Sequence, residues 1–194
     1  MDEGGRGPGG PSDELLAQRV QHGDRDALDL LVRRYLRPIH AVCASYMTIA
    51  ADVEDVVQET FMRAIGSLAS YDTTRPFAPW LYEVARNAAR RRLSSNALRR
   101  MEPMPAIEPA ATGASPEVLT QRSEVRRHVD EAAANLPEQQ RTAFRLHDVD
   151  GYTTAEIAHL MGLTTGTVRS HVHHARRALR NSLAKVYDNT ATGS

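Results

Sequence analysis

The chain has 194 residues, and its 24 basic and 24 acidic side chains give a formal net charge of zero. This balance excludes a uniformly basic nucleic-acid-binding protein. One Cys excludes an internal disulfide and a thiolate zinc cluster. No apolar run approaches the roughly 20 residues that span a bilayer. We therefore expect a soluble, cytoplasmic protein that contains no metal or other cofactor.

Three apolar patterns with helical spacing occupy the start of the chain. Ser12 is placed to cap a short first helix, and Asp24 or Asp26 to begin a longer second one. Pro38 should bend or interrupt that second helix. The clearest pattern runs over 52–68, where apolar residues recur with the 3.6-residue period of an α-helix. Aromatic residues form only 5% of the chain, which also favours helices over strands.

A loop at 70–76 is followed by another helical pattern, which turns Trp80 and Leu93 inward. The segment 98–116 contains four prolines and no apolar periodicity, so it is predicted to be a linker. No alternating run of strand length occurs. We predict an all-α fold of two small helical domains joined by a flexible linker. The predicted division is a disordered tail at 1–11, an N-terminal unit at 12–97, the linker at 98–116, a C-terminal unit at 117–187 and a tail at 188–194.

Charged residues are sorted into blocks along the chain. Residues 1–31 carry seven acids and three arginines, whereas 86–100 carry six arginines and no acid. Residues 102–138 again carry seven acids and three arginines, and 157–187 carry five basic residues and no acid. One arginine-rich helix is often only a solvated surface. Two such helices, each ending an apolar-periodic unit, favour contacts with nucleic acid.

The C-terminal unit contains the pattern of a helix-turn-helix. A short helix at 154–161 is followed by Gly162, and a second helix starts near Thr164. Ala158 lets the helices approach, Gly162 can adopt the φ > 0 of the turn, and Val168 anchors the second helix. The exposed face of that second helix carries hydrogen-bond donors suited to a major groove. An ordinary helical hairpin with a basic face is the alternative.

Five stretches form two sets of motifs: DVEDVVQETFMRA at 52–64, PWLYEVARN at 79–87, LPEQQR at 136–141, DGYTTAEIA at 150–158 and GTVRS at 166–170. The first two resemble region 2, and the last three region 4, of the extracytoplasmic-function (ECF) sigma factors, group IV of the sigma-70 family. The resemblance covers about residues 13–185. It implies a promoter-specificity subunit of RNA polymerase that catalyses no reaction and has no catalytic residues. It also implies three partners: core RNA polymerase, promoter DNA and an anti-sigma factor.

The helix at 52–64 has an acidic face beside its apolar stripe. By itself such a face is most simply a solvated surface. The resemblance implies that it docks on the clamp helices of the polymerase β′ subunit, with further contacts to the β subunit. The implied polymerase-binding residues are Asp55, Gln58, Glu59, Met62 and Arg63.

The loop at 70–76 and the Trp80 helix resemble the element that recognises the −10 promoter region. Arg91 stands where many relatives have Asp, which makes this helix face more basic. Trp80 itself is more simply a core residue. The implied −10 contacts are Tyr71, Arg75, Phe77, Arg86, Asn87, Arg90 and Arg91.

The second helix of the helix-turn-helix resembles the −35 reader of the family. His174 stands where relatives often carry Arg. A metal site at His171, His173 and His174 is not expected, because no carboxylate or thiolate lies nearby in the sequence. The implied −35 contacts are Thr165, Thr167, Arg169, Ser170, His171, His174, Arg176 and Arg177.

The linker is acidic and rich in proline. The resemblance implies that it threads through the polymerase cleft, although it could also be a simple tether. The main alternative function is a helix-turn-helix regulator that binds DNA without core polymerase. That alternative explains the C-terminal unit but not the motifs at 52–64 and 79–87. No motif of a nucleotide-binding, metal-dependent or nucleophilic enzyme occurs.

Overall fold

The computed structural model describes residues 10–101 and 132–191, with side chains at 10–97 and 132–184. All regular secondary structure in these ranges is helical, which confirms the predicted fold class. The predicted tail at 1–11 and the linker lie mostly outside the described residues. The helices are α1 (Asp13–Gln21), α2 (Arg25–Ala44), α3 (Ala50–Leu68), α4 (Phe77–Met101), α5 (Glu138–Phe144) with a π-helical turn (Arg145–Val149), α6 (Thr154–Met161) and α7 (Thr165–Ala191).

The first two helices begin at the predicted caps. Ser12 Oγ accepts a hydrogen bond from the N–H of Leu15 at 3.2 Å. Asp24, rather than Asp26, caps α2, and its Oδ1 accepts from the N–H of Ala27 at 3.0 Å. Such bonds satisfy amide donors that have no partner within the helix. The predicted interruption at Pro38 does not occur, because Pro38 lies inside the continuous helix α2.

The core of the N-terminal unit lies among α1, α2, α3 and α4. The buried residues of α3 follow the predicted helical period and include Val53, Val56 and Leu68. The prediction that Leu93 points inward is wrong, because its side chain is 38% exposed. Arg92, one residue earlier, already pairs with Asp52 near the start of α3. Beyond Arg92, helix α4 therefore extends past the start of α3, and α3 does not cover the side chain of Leu93.

The C-terminal unit packs directly against the N-terminal unit. Ala143 and Leu146, both with no exposed surface, belong to the same hydrophobic cluster as the residues buried in α2 and α4. Ser45 Oγ and Thr142 Oγ1 form a buried hydrogen bond at 3.0 Å across the contact. The sequence patterns predict each unit but not this contact between them.

Among the described helices, none has the length and apolar character that a bilayer-spanning helix requires.

Candidate nucleic-acid interface

The turn between α6 and α7 has the geometry that the sequence predicts for a helix-turn-helix. Thr153 and Glu156 form a reciprocal capping box at the start of α6, with Glu156 Oε2 accepting from the Thr153 N–H at 2.8 Å. Gly162 ends α6 with φ +67° and ψ +33°. The N–H of Leu163 then donates to the carbonyl of Ala158 at 2.9 Å. This left-handed residue turns the chain sharply, and it suits glycine because glycine has no Cβ.

Helix α7 has one buried and one exposed face. Thr164 Oγ1 accepts from the N–H of Thr167 at 3.1 Å, which caps the start of the helix. The buried residues recur at helical spacing, so α7 is held firmly while its opposite face is solvent-accessible. They are Val168, Val172, Ala175 and Leu179.

Most of the side chains predicted to contact −35 DNA lie on the accessible part of α7. Thr167 and His171 are only partly exposed. Burial and the neighbouring His174 lower the pKa of His171, so its ring is neutral near pH 7. A neutral imidazole is a poorer phosphate ligand than an imidazolium. The exposed residues are Thr165, Arg169, Ser170, His174, Arg176 and Arg177.

Arg176 has an internal partner in the structure. Its Nε donates to Asp148 Oδ2 at 2.8 Å, and Asp148 lies in the π-helical turn after α5. A guanidinium held in this way is fixed in orientation, but part of its charge is neutralised. Arg169 and Arg177 are therefore better placed than Arg176 to meet an incoming phosphate.

A second basic surface lies on α4. Asn87, Arg90 and Arg91 are exposed, and Arg86 is partly buried. Three of these residues line an open groove of about 520 Å³. No carboxylate contributes to the lining, which consists of two guanidinium groups, one amide and two hydroxyl groups. Donors of this kind suit phosphate oxygens and base edges. The groove residues are Asn87, Arg90, Arg91, Ser94 and Ser95.

Ser94 and Ser95 are groove residues that the sequence prediction missed. They follow Arg90 and Arg91 by four positions, so all four share one helix face. Helical periodicity applied to the predicted arginines would have found them.

The prediction that Tyr71 and Phe77 contact DNA does not fit this structure. Their exposed fractions are 7% and 4%. Both rings pack on Trp80, with centroids at 4.7 Å from Tyr71 and 5.4 Å from Phe77. Burial raises the pKa of Tyr71 to about 12, and its hydroxyl donates to the carbonyl of Arg75. These aromatic rings shape the loop from inside and leave the exposed side chain of Arg75 as its accessible cation.

Two side chains of α1 form hydrogen bonds with the backbone at the two ends of the same loop. Gln21 Nε2 donates to the carbonyls of Leu68 and Tyr71 at 2.9 Å and 2.8 Å. Glu14 Oε1 accepts from the N–H of Phe77 at 3.0 Å, which caps α4. The loop and the start of α4 are therefore rigidly positioned relative to each other.

The polymerase-binding residues predicted on α3 form an accessible face. Asp55 and Gln58 are exposed, and Glu59 is partly so. Beside them Met62 is 73% exposed and Ile65 is 45% exposed. Large apolar side chains so accessible on a helix surface are typical of an interaction site.

Arginines on α4 and on α3 itself partly neutralise this acidic face. Arg92 Nη2 donates to Asp55 Oδ2 at 2.8 Å, and Arg63 Nε donates to Glu59 Oε1 at 2.6 Å. Arg91 Nη2 lies 3.9 Å from Glu59 Oε1. The acidic face of α3 and the basic face of α4 are thus adjacent and connected by ion pairs.

The fold and these surfaces define a helix-turn-helix protein that carries an additional basic helix face on α4 and an exposed acidic face on α3. Comparison with known proteins identifies the family to which this helix-turn-helix protein belongs. Models of sigma-70 region 2 and sigma-70 region 4 match residues 31–99 and 126–179. The chain belongs to the sigma-70 family, in its ECF group.

Individual relatives match most of the chain. The ECF RNA polymerase sigma-E factor of Salmonella typhimurium is 36% identical over 181 residues, covering 89% of this chain and 94% of the relative. The sigma-E factor of Haemophilus influenzae is 34% identical over 181 residues, covering 89% and 95%. Among solved structures, CnrH in complex with the cytosolic domain of CnrY has a TM-score of 0.58 and 26% identity. That match covers 90% of this chain and 99% of CnrH.

Proposed function

We propose that this protein is an alternative sigma factor that binds core RNA polymerase, recognises −10 and −35 promoter elements and assists promoter melting. One observation carries the proposal. The chain combines a helix-turn-helix with a separate unit that has a basic groove on α4 and an acidic, partly apolar face on α3. A regulator that only binds duplex DNA needs the helix-turn-helix but not the separate unit with the α4 groove and the α3 face.

The α3 face is assigned to core polymerase. Asp55, Gln58 and Glu59 supply an accepting surface, and the exposed Met62 supplies apolar area next to it. An accepting surface of this kind suits the basic surface of a partner, since complementary potentials favour correct docking. Arg63 is tied to Glu59 and helps fix its orientation. We assign this face to the β′ clamp helices and propose the β subunit as a further partner within core polymerase.

The α4 groove is assigned to the −10 element. Separating bases costs stacking energy, so melted DNA must be held by favourable contacts with phosphates and unpaired bases. Arg86, Arg90 and Arg91 supply positive charge, and Asn87 can hydrogen-bond a base edge. Arg75, an exposed cation in the loop before α4, is assigned to the same element.

The exposed face of α7 is assigned to the −35 element. Its first turns follow the sharp turn at Gly162, and the side chains of Thr165, Arg169 and Ser170 there are exposed. In this geometry side chains near the start of the second helix reach base edges in the major groove. Arg169 and Ser170 occupy that position, and Arg177 lies further along for backbone phosphate.

Two further points belong to the proposal. A factor that works on polymerase and promoter DNA acts in the cytoplasm, and it directs initiation without itself breaking or forming a bond. We also propose an anti-sigma partner, because the similar CnrH was solved in complex with the cytosolic domain of CnrY.

The test uses a pool of linear templates with randomised −35 and −10 segments, transcribed by bacterial core polymerase with and without the protein. We expect transcripts that depend on the protein and share two sequence elements upstream of their starts. Binding of the protein to duplex DNA without any dependent transcript would instead favour the helix-turn-helix regulator.

A further inference from the structure

We propose that Asp148 is a positioning residue that holds Arg176 away from DNA phosphates and thereby limits the sequence-independent part of duplex binding. The two side chains form an ion pair within the C-terminal unit, between the π-helical turn after α5 and helix α7. The inference rests on the proposed role of α7 in −35 recognition. It gives Asp148 a role in DNA binding that includes no contact with DNA.

Asp148 binds the Arg176 guanidinium through both carboxylate oxygens. Arg176 Nε donates to Oδ2 at 2.8 Å, and Arg176 Nη2 donates to Oδ1. His147 Nδ1 lies 2.9 Å from the same Oδ1, and this nitrogen carries the proton because an ionised carboxylate only accepts. The Asp148 side chain is 18% exposed, whereas that of Arg176 is 51% exposed. The carboxylate is therefore largely covered, while the guanidinium that it fixes stays accessible.

The carboxylate of Asp148 is ionised at neutral pH. The hydrogen bond from Arg176 has the largest influence on its pKa, and together with His147 it lowers that pKa although burial raises it. A phosphate that approaches Arg176 therefore also approaches a full negative charge. Bidentate pairs of guanidinium and carboxylate are strong for surface ion pairs. The phosphate must displace a partner that is already in place.

Two other arginines of the −35 surface have no such partner. Neither Arg169 nor Arg177 forms an ion pair or a side-chain hydrogen bond with another described residue. Arg176 follows Arg169 by seven positions, which is two helical turns or about 10.5 Å along α7, so both lie on one helix face. A side chain two turns from the base-reading end lies near the phosphates that border the major groove, which is about 12 Å wide. Arg176 thus occupies a phosphate-binding position, and Asp148 withdraws its charge.

Release of Arg176 would add one phosphate contact with two measurable properties. A phosphate contact carries no sequence information, so it strengthens binding to every duplex by the same factor. It also releases counterions, so the slope of log K against log[salt] becomes steeper by about 0.9. A purely structural role of Asp148 predicts weaker binding to the −35 element and no added salt dependence.

The test compares the full-length wild type with Asp148→Asn, which has nearly the same shape but no charge. Fluorescence anisotropy measures the affinity for two labelled duplexes, one with the −35 element recovered from the template pool and one with that element scrambled. We expect Asp148→Asn to bind both duplexes about fivefold more tightly at about 50 mM salt. At about 200 mM salt this gain should be about three- to fourfold smaller, as one phosphate contact requires.

Asp150→Asn is the matched control. Asp150 lies two positions after Asp148, its side chain is 24% exposed, and it accepts from Arg145 Nε at 3.1 Å. Arg145 Nη1 donates to the carbonyl of Ala44 at the end of α2, so this arginine is directed away from the exposed face of α7. The control removes the same charge from the same part of the chain. It should change the affinity for either duplex less than about twofold.

Three further variants separate the release of Arg176 from other effects. Asp148→Ser removes the charge with a smaller side chain and should give the same gain as Asp148→Asn. Asp148→Glu keeps the charge and should bind both duplexes like the wild type. Arg176→Ala, introduced into Asp148→Asn, should abolish the gain, because the added contact is made by Arg176.

The proposal is overturned if Asp148→Asn and Asp148→Ser bind duplex DNA no more tightly than Asp150→Asn does. It is also overturned if the gain is confined to the −35 duplex, if it is equal at both salt concentrations, or if it survives Arg176→Ala. Failure of the proposed function is a separate result: the wild type would then support no transcription with core polymerase, whatever the duplex affinities show.

Discussion

The buried acid Asp13 allows a quantitative test of how the chain is held together. Asp13 is only 7% exposed and lies in the first turn of α1. Arg34 of α2 pairs with one carboxylate oxygen, and the hydroxyl of Tyr35 donates to the other at 2.6 Å. His159 of α6 lies 3.9 Å away. This carboxylate of α1 thus contacts two other helices, α2 and α6.

The size of the effect follows from the pKa of Asp13. Burial raises this pKa, but the neighbouring His159, Tyr35 and Arg34 lower it from 3.8 to about 2. One pKa unit corresponds to about 1.4 kcal/mol, so the ionised carboxylate stabilises the folded chain by about 2 kcal/mol at pH 7. Because the folded chain lowers the pKa of Asp13, this stabilisation is fully present at pH values above the unfolded-state pKa of 3.8. It is lost as the pH falls towards 2.

Asp13→Asn should therefore lower the free energy of unfolding by about 2 kcal/mol at pH 7, measured by urea denaturation and circular dichroism. At pH 3 the difference from wild type should fall to about half that value. Asp29→Asn removes a charge from an exposed position of α2 and should change stability by less than about 0.5 kcal/mol. A loss at Asp13 that is equal at both pH values would refute the electrostatic explanation.

Three further predictions concern the turn and the two binding surfaces. Gly162→Ala should destabilise the chain by about 1–2 kcal/mol in urea denaturation, because it forces φ +67° on alanine and places Cβ 3.1 Å from a proline carbon. Gly66→Ala, in open space on α3, should instead stabilise by about 0.5–1 kcal/mol. Arg169→Ala should reduce transcription about tenfold on templates with a −35 element. An equal loss on templates without that element would contradict a specific contact. Asp55→Asn combined with Gln58→Ala should weaken core polymerase binding about tenfold in a competition assay, and unchanged binding would remove α3 from the interface.

Local signals in the sequence were sufficient for α1–α4, α6, α7 and the turn, but α5 and the π-helical turn after it were not predicted. The caps at Ser12 and Asp24, and the turn at Gly162, depend on neighbours within a few residues. The bounds of α6 agree with prediction because its capping residue, apolar spacing and terminal glycine all lie within ten positions. The family resemblance added the order of the two units, which is confirmed by the matches to sigma-70 regions 2 and 4.

Contacts between distant residues were not predictable in this way. Glu138 and Arg86 are 52 positions apart, and no periodic pattern shows that their helices meet. Tyr71 and Phe77 flank a polar loop, so the sequence suggests accessible rings. Their burial depends on mutual packing with Trp80, a tertiary effect that overrides the local pattern.

The most direct test of the sigma-factor assignment is a run-off transcription titration with core polymerase free of other sigma factors. The template carries one promoter recovered from the randomised pool. We predict that transcript yield from a single start site rises with added protein and saturates when protein and core polymerase are equimolar. A yield that does not depend on the protein, under conditions where it still binds DNA, would contradict the account.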